Sequence, residues 1–391
     1  MSSFVVAGGG IAGLSSALAL SDAGHEAIVL EQAAKFSEVG AGIQIGPHGG
    51  RALEALGVMD VLAERLFRPR AIRIRKAANG AQLGEVPLGD EFVNRFGGRY
   101  HCVHRSDLLA ALLEVARGRD NIILRTNSRV SHYCAADGGI KVSTRNGDSY
   151  WGEALIGADG IRSRVRARLL GDGKPVLAGH VLYRVLLDAD DVPGVVDTSS
   201  VNLWLHPGGH VVHYPVRGGE KFNIVAAINE NWAGEGWSEP SDGEAMLKVF
   251  SGVADELRAL LERPKVWLRW AGADRRPVSK WGEGPVTLIG DAAHPTLPYL
   301  ASGAVMALED AVVLGRQISE AEDEPRATRA ALRAYERIRQ PRTARIVENS
   351  HRLAGVYHAG SPMSFFRDMF IRATSGRKSL ERMSWLYGWR P

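Results

Sequence analysis

Phe4-Val5-Val6-Ala7 followed by Gly8-Gly9-Gly10-Ile11-Ala12-Gly13 constrains the fold of this chain more than any other stretch. The apolar residues read as a buried strand. Leu14 to Ala23 reads as a helix ended by Gly24, and Glu26 to Leu30 as a second strand ending at Glu31. In this strand–turn–helix–strand setting Gly8 permits the tight turn. Gly10 lets a pyrophosphate approach the backbone, and Gly13 lets the helix pack on the strand. The helix start adds N–H groups and a positive dipole end. Glu31 is placed to accept hydrogen bonds from ribose hydroxyls, which favours FAD or NAD over NADP. A glycine-rich turn without a ligand is the bland alternative, and the full context disfavours it.

Two later turns repeat the theme. Val286 to Ile289 leads into Gly290-Asp291-Ala292-Ala293-His294-Pro295, a Pro/Gly loop through Ala304, and a helical run from Val305 to Gln317. Asp291 suits ribityl hydroxyls. The helix start suits negative charge at the pyrimidine end of a reduced flavin. Asp159, in Gly157-Ala158-Asp159-Gly160, ends another strand ahead of a helix. Either turn alone is an ordinary strand–helix junction. Together with the N-terminal pattern they point to a flavin.

Composition sets the outer limits. The 391 residues are 45% hydrophobic and 24% charged, a soluble globular chain long enough for two domains or for one large domain with an insertion. A formal charge of +4 is no nucleic-acid signature. Cys102 and Cys134 are too few for a disulfide framework and fit a reducing cytosol, so a cytoplasmic protein is expected. No signal peptide, membrane span or metal-ligand set is read.

Between the turns the pattern predicts elements. Val39 to His48 is glycine-rich backbone suited to a flat ligand, with His48 as a loop histidine satisfied by a neighbour. Gly50 to Leu66 reads as a helix. Ala71 to Arg75 and Gln82 to Leu88 alternate around Asn79-Gly80, a hairpin. Ser106 is expected to cap a helix from Asp107 to Arg117. Arg105, just before it, is a phosphate candidate with a surface salt bridge as the alternative. Strands follow at Ile122 to Thr126, Ser128 to Ala135, Ile140 to Thr144 and Ser149 to Ile156, with a turn at Asp137-Gly138-Gly139. Leu177 to Trp270 alternates as an antiparallel sheet, and Ser241 to Leu261 reads as a helix resting on it. His210, Val212 and Tyr214 share one sheet face and suit a pocket wall, whereas His213 points to an opposite, wet face. Ser319 to Glu324 is a polar break. Ala327 to Ile346 is a helix kinked or interrupted by Pro341, its arginines forming a solvated basic face. The aromatic tail from His351 suits docking on the body or on a second copy, a homodimer.

With these motifs placed, the chain resembles the class A single-component flavin aromatic hydroxylases, typified by para-hydroxybenzoate hydroxylase. The resemblance rests on Gly8-x-Gly10-x-x-Gly13 with Glu31, on Ala158-Asp159-Gly160 and on Gly290-Asp291. It implies an α/β fold: a Rossmann-like FAD-binding domain with a smaller antiparallel-sheet substrate domain. The implied division is 1–70, 97–176 and 283–350 for FAD, 71–96 and 177–282 for substrate, and a helical tail at 351–391. Within the family, Gly40 to Pro47 and Tyr299 to Ala311 look like the branch of 3-hydroxybenzoate 6-hydroxylase, salicylate hydroxylase and 6-hydroxynicotinate 3-monooxygenase. Pro298 stands where 3-hydroxybenzoate hydroxylases tend to carry Gln, and Tyr299 where hydroxynicotinate enzymes tend to carry His. Gln44 differs from the His of the latter, and His48 from the branch's usual Asn.

The resemblance implies that NADH, with NADPH left open, reduces FAD, and that O2 gives a C4a-hydroperoxyflavin which hydroxylates a phenolic aromatic acid. His210 is expected as base or relay, with Tyr214 orienting the ring. Leu297, Pro298 and Tyr299 are expected to line the substrate. Cofactor contacts are expected at Gly8, Gly10, Ala12, Gly13, Glu31, Gly42, Gln44, Arg105, Asp159, Gly290, Asp291, Pro298, Ala301, Ser302, Gly303 and Ala304. Conversion of 3-hydroxybenzoate to gentisate leads, ahead of decarboxylating hydroxylation of salicylate or 6-hydroxynicotinate. A flavin dehydrogenase or oxidase and a non-catalytic FAD-binding redox sensor are the rival classes.

Overall fold

A computed structural model describes residues 2–37, 40–136, 138–322 and 324–390. Val39, Asp137 and Asp323, which fall in segments read above, lie outside the described residues.

The apolar runs that open the chain form the middle of a sheet. Strand Ser3–Ala7 pairs in parallel with Glu26–Leu30 on one side and Ala154–Gly157 on the other. Ile122–Arg125 and Val286–Leu288 extend it in parallel, and Gly282–Glu283 closes one edge antiparallel. Phe4, Val5, Val6, Leu14 and Leu18 are wholly buried, as a sheet covered on both faces requires. Each such side chain contributes roughly 1.5–3 kcal/mol. Helices Ile11–Asp22 and Gly303–Ser319 pack closely, because a Cβ on Gly315 would lie only 2.7 Å from that of Ala19.

The second large sheet has the order Ser238–Ser241, Trp267–Asp274, Val176–Asp188, Lys221–Asn229, Gly209–Val216, Val201–His206, Ala71–Lys76, Gln82–Pro87. The hairpin around Asn79-Gly80 is present. The sheet is antiparallel except where Val201–His206 meets Ala71–Lys76 in parallel, because the latter strand arrives from a distant part of the chain. One face carries Tyr183, Trp204, Val211, Phe222 and Ile224, covered by helices Glu244–Val249 and Asp255–Glu262. His210, Val212 and Tyr214 share the other face.

Several expectations change. The single helix from Ser241 to Leu261 is instead the edge strand Ser238–Ser241 and two helices, the first starting at Gly243 with φ +81°. The face holding His213 is not wet: His213 is buried and accepts the Trp204 indole N–H at 2.8 Å. The run Ser149 to Ile156 splits, since Glu153 donates its N–H to Ser3 at 2.7 Å and Ala154–Gly157 leaves the small sheet formed by Val130–Ala136, Gly139–Thr144 and Ser149–Gly152. The helix expected over Gly50 to Leu66 is Pro47–Ala55, stopped near Gly57 at φ +68°, then the short Met59–Leu62. Helix Arg105–Arg117 starts before Ser106, whose hydroxyl bonds His104 Nδ1 at 2.6 Å instead of capping.

The long helix Pro325–Tyr357 runs through Pro341 without interruption, and residue 351 lies inside it. Its arginine face is not simply solvated. Arg339 is wholly buried and Arg342 nearly so, both against Glu309 of a neighbouring helix. The tail forms Met363–Ala373 and Arg377–Tyr387. Tyr387 packs among Phe92, Phe96 and Tyr100, and Trp389 lies over Arg339, while Met363, Phe365, Phe366, Met369 and Phe370 stay exposed. Among the described residues no helix is long and apolar enough to cross a membrane, and no cluster suits a metal ion.

Candidate active site

Strand ends bring the three glycine turns together. Gly8 has φ +109°, and a Cβ there would run into the Ala158 carbonyl oxygen. A Cβ on Gly13 would strike the Gly8 carbonyl, so this helix start tolerates no side chain. Gly10 sits at the helix N-cap with no side-chain cap. Glu31 accepts the Gly9 N–H at 2.7 Å and the Ala33 N–H at 2.8 Å, which fixes its carboxylate beside the turn.

Gly290 lies against this same helix start. Its φ is +58°, and a Cβ would sit 2.7 Å from that of Ala12 and 3.3 Å from that of Ala307. Asp291 is the exposed residue of the turn; Gly290 and the residues from Ala292 to Pro295 are buried. Buried polar groups outside the turn set its shape. Asp310 accepts the Gly290 N–H at 3.1 Å, stands 2.5 Å from His294 Nε2, and accepts Arg339 Nε at 2.7 Å. Arg339 and Arg342 both bond Glu309. Arg166, wholly buried, donates to the carbonyls of Ala292 at 3.0 Å and Ala293 at 2.7 Å. Burial alone would raise the Asp310 carboxyl, but His294 and Arg339 outweigh it and keep the group below its ordinary range.

Past the turn, Ala301 adopts φ +48°, uncommon for a residue with a Cβ. The Ser302 hydroxyl turns back to the Leu300 carbonyl at 2.8 Å, so helix Gly303–Ser319 begins without a side-chain cap. Its first-turn N–H groups and positive end around Gly303 and Ala304 suit an anion. Leu297 is buried beside Tyr299 and Ala354, its carbonyl accepting from Ser350, and Pro298 is exposed.

The open face of the large sheet supplies the rest. His210 Nδ1 is 2.9 Å from His358 Nε2, and His358 Nδ1 is 2.6 Å from Asn229 Oδ1. The rings of Tyr299, Tyr357 and His358 stand 5.1–5.4 Å from that of His210. Burial, with His358 and His180 nearby, pushes His210 well below its usual pKa, so it is neutral at pH 7. Tyr214 lies four residues along the same strand, about 13 Å away at 3.3 Å per residue. Gly42 is forced by it: a Cβ would meet the Tyr214 ring at 2.6 Å, and the Gly42 N–H donates to Asn223 at 2.7 Å. Gln44 accepts from Tyr100 at 2.8 Å. Strand Gly42–Ile45 thus abuts the pocket face at Gly42, while Ile45 is buried in the core around the parallel sheet. Arg105 begins its helix with its N–H on the Ala41 carbonyl at 3.1 Å.

Asp159 behaves differently from its expected cofactor role. Its turn abuts Gly8, but its carboxylate accepts the Ser163 hydroxyl and the N–H of Arg164 at 2.7 Å, capping helix Arg164–Leu170. His48 is no loop histidine satisfied by a neighbour. It lies buried in helix Pro47–Ala55, and neither ring nitrogen has a hydrogen-bond partner among the described residues. Sequence reasoning also missed Arg184. This half-buried guanidinium shares the face of His210 and Tyr214, its strand row falling between theirs through Val225 and Val212. It has no carboxylate partner among the described residues, and its Nε is buried without a hydrogen bond. A separate cleft of about 320 Å³ lies at the sheet rim, where Arg73–Asp197 and Arg75–Glu256 pairs, both 2.7 Å, neutralise its charges.

Residues 1–350 match the family model described as an FAD binding domain. A 3-hydroxybenzoate 6-hydroxylase from Polaromonas naphthalenivorans is 39% identical over 386 residues, covering 98% of this chain and 95% of its own length. The chain belongs to the FAD-dependent aromatic hydroxylases. Another member, 6-hydroxynicotinate 3-monooxygenase from Bordetella bronchiseptica, is 32% identical, with 88% of this chain and 90% of that protein covered. Klebsiella pneumoniae HpxO, solved with FAD and uric acid, superposes with a TM-score of 0.86 at 28% identity, over 99% of this chain and 97% of that one. The residues of this hydroxylase fit FAD: side-chain-free backbone at Gly8, Gly13 and Gly290, and the uncapped start of helix Gly303–Ser319.

Gly290→Val is therefore expected to leave the protein largely without FAD. A β-branched residue at φ +58° costs about 1–2 kcal/mol, and overpacking Ala12 and Ala307 about 1–3 more. Flavin fluorescence titration of the refolded variant measures it; stoichiometric yellow protein would show that the turn does not need glycine.

Proposed function

We propose that this protein hydroxylates a phenolic aromatic acid using NADH and O2, with 3-hydroxybenzoate converted to gentisate as the leading reaction. The observation that carries this reading is one sheet face presenting a neutral imidazole, a phenol and a guanidinium that has no carboxylate partner among the described residues. Burying a cation without a partner is costly unless a ligand supplies the anion. Burial and the nearby Arg105 guanidinium lower Arg184 only to about 10, so it stays charged at neutral pH. In this reading it takes the substrate carboxylate.

Bound FAD would supply the redox chemistry that activates O2 at the expense of NADH. Gly8, Gly10, Gly13, Ala12, Glu31, Gly42, Gln44, Arg105, Gly290 and Asp291 would hold it, with Ala301 to Ala304 at its pyrimidine end. The chain's own task is to make the ring electron-rich. A phenol has a pKa of about 10 and a histidine about 6.5, so His210 cannot simply remove the proton. Its lone pair accepts a hydrogen bond from the hydroxyl and draws the proton away as charge develops on the ring. Tyr214 orients the ring. Leu297, Pro298 and Tyr299 form the wall that keeps water out. The uncapped helix start at Gly303 would stabilise negative charge on a bound flavin.

The same reading assigns 1–70, 97–176 and 283–350 to FAD and 71–96 with 177–282 to substrate. It takes the exposed Phe365, Phe366 and Phe370 face as the contact with a second copy, which sedimentation would test. The Bordetella relative keeps decarboxylating hydroxylation of 6-hydroxynicotinate as the second reading.

The test is NADH consumption with 3-hydroxybenzoate, salicylate and 6-hydroxynicotinate, with products identified by mass. Arg184→Met should raise KM for the preferred acid by about 10–100-fold, the value of one charge-assisted hydrogen bond. KM for NADH should not change. An unchanged KM for the acid would remove Arg184 from the substrate site.

A further inference from the structure

Three side chains end at His210, and with the Asn229 carbonyl oxygen turned to His358 they form a chain with one consistent direction. Asn229 Oδ1 is an acceptor, so His358 Nδ1, 2.6 Å away, carries the hydrogen. A neutral His358 then has a bare Nε2. That atom, 2.9 Å from His210 Nδ1, must accept, so His210 carries its hydrogen on Nδ1 and keeps Nε2 as a lone pair. Burial lowers His358 to about 4, consistent with the neutral form. No partner for His210 Nε2 is found among the described residues.

The backbone fixes this register. Gly208, at φ +80°, donates its N–H to the His358 carbonyl at 3.0 Å and accepts the Asn229 N–H at 2.9 Å. One turn therefore ties the end of helix Pro325–Tyr357 to the end of strand Lys221–Asn229, the two elements that deliver the relay. The other groups facing His210 are Tyr299, Tyr357 and His180. The Tyr299 hydroxyl pairs with His180 Nδ1 at 3.1 Å. Among the described residues no carboxylate is bonded to either His210 or His358 that would charge the pair.

We infer that His358 and Asn229 are positioning residues that fix His210 as the Nδ1–H tautomer, so that Nε2 accepts the proton of the substrate hydroxyl. This rests on the proposed hydroxylation of a phenolic acid. In the opposite tautomer Nε2 would present a hydrogen and repel a neutral phenol's proton. The device therefore selects a substrate that enters as a phenol and donates to the protein.

Nitrogen-15 NMR of histidine-labelled, FAD-loaded protein reads the tautomer without turnover. His210 should show a protonated Nδ1 and a pyridine-like Nε2; a protonated Nε2 would overturn the inference whatever the substrate. His358→Leu should mix the tautomers, raise the apparent pKa of bound 3-hydroxybenzoate by about one unit, and lower kcat about tenfold at little changed KM. His358→Gln, whose carbonyl can accept from His210 Nδ1, should restore most of both. A His358→Gln protein as impaired as His358→Leu, though folded, would contradict the relay. If the wild-type tautomer is as stated but no phenolic acid is hydroxylated, the substrate reading fails and the proton-accepting role fails with it.

Discussion

Replacing His210 by alanine should lower kcat for hydroxylation by about 10²–10⁴-fold, the usual worth of a positioned proton acceptor. His210 is buried on a strand whose opposite face is core, and its Nε2 has no partner among the described residues. Losing it leaves the phenol undirected and water free to enter. NADH consumption should become less coupled to product, with peroxide appearing instead. The variant also leaves His358 Nε2 without its donor, about 1–3 kcal/mol of stability. His210→Gln is therefore measured alongside, because its amide N–H can refill that bond while supplying no base. Stopped-flow and product assays on both, with circular dichroism to verify folding, decide it. A kcat within about twofold of wild type for folded His210→Ala would remove His210 from catalysis.

The second large effect belongs to a residue that touches no ligand. Asp310→Ala takes one partner from a cluster in which Asp310, Glu309 and Arg339 are all wholly out of solvent. Breaking a buried pair typically costs about 3–5 kcal/mol, because the surviving charge keeps its desolvation penalty. Here the Gly290 N–H and His294 lose their acceptor as well. The urea midpoint should fall sharply and FAD should dissociate, since the turn that positions Asp291 loses its anchor. Asp310→Asn keeps an acceptor and should lose less. The sign with pH follows. Glu309 and Asp310 are both held below their ordinary pKa, burial being outweighed by their arginine and histidine partners. Their stabilisation is whole above about pH 4, the unfolded carboxylate range, and is lost as pH falls through the lowered folded values. An Asp310→Ala protein that keeps its midpoint and its FAD would show that the network is ornamental.

The parts legible in the sequence are those governed by local rules. A strand followed by Gly8, Gly10 and Gly13 needs little context, and alternation placed His210, Val212 and Tyr214 on one face correctly. The same alternation found the hairpin around Asn79-Gly80. What stayed hidden depends on distant partners. Arg339 and Arg342 read as solvated because nothing local reveals Glu309 and Asp310 across the helix pair. Asp159 repeats the pattern of Asp291, yet its carboxylate is drawn onto Ser163 and Arg164, four and five residues on. An acid just ahead of a helix is also a capping signal, and here the local capping bonds take the carboxylate. Arg184 sits in an alternating strand where a charge reads as solvent-facing, and only the missing partner marks it. His358 joins His210 from 148 residues away.

The most direct measurement is the mass of the product formed by FAD-loaded protein from 3-hydroxybenzoate and NADH under isotopically heavy O2. The account predicts substrate-stimulated NADH consumption and a dihydroxybenzoate carrying one heavy oxygen, lost in His210→Ala. NADH consumption that yields only peroxide, or no stimulation by any of the three acids with FAD bound, would contradict it.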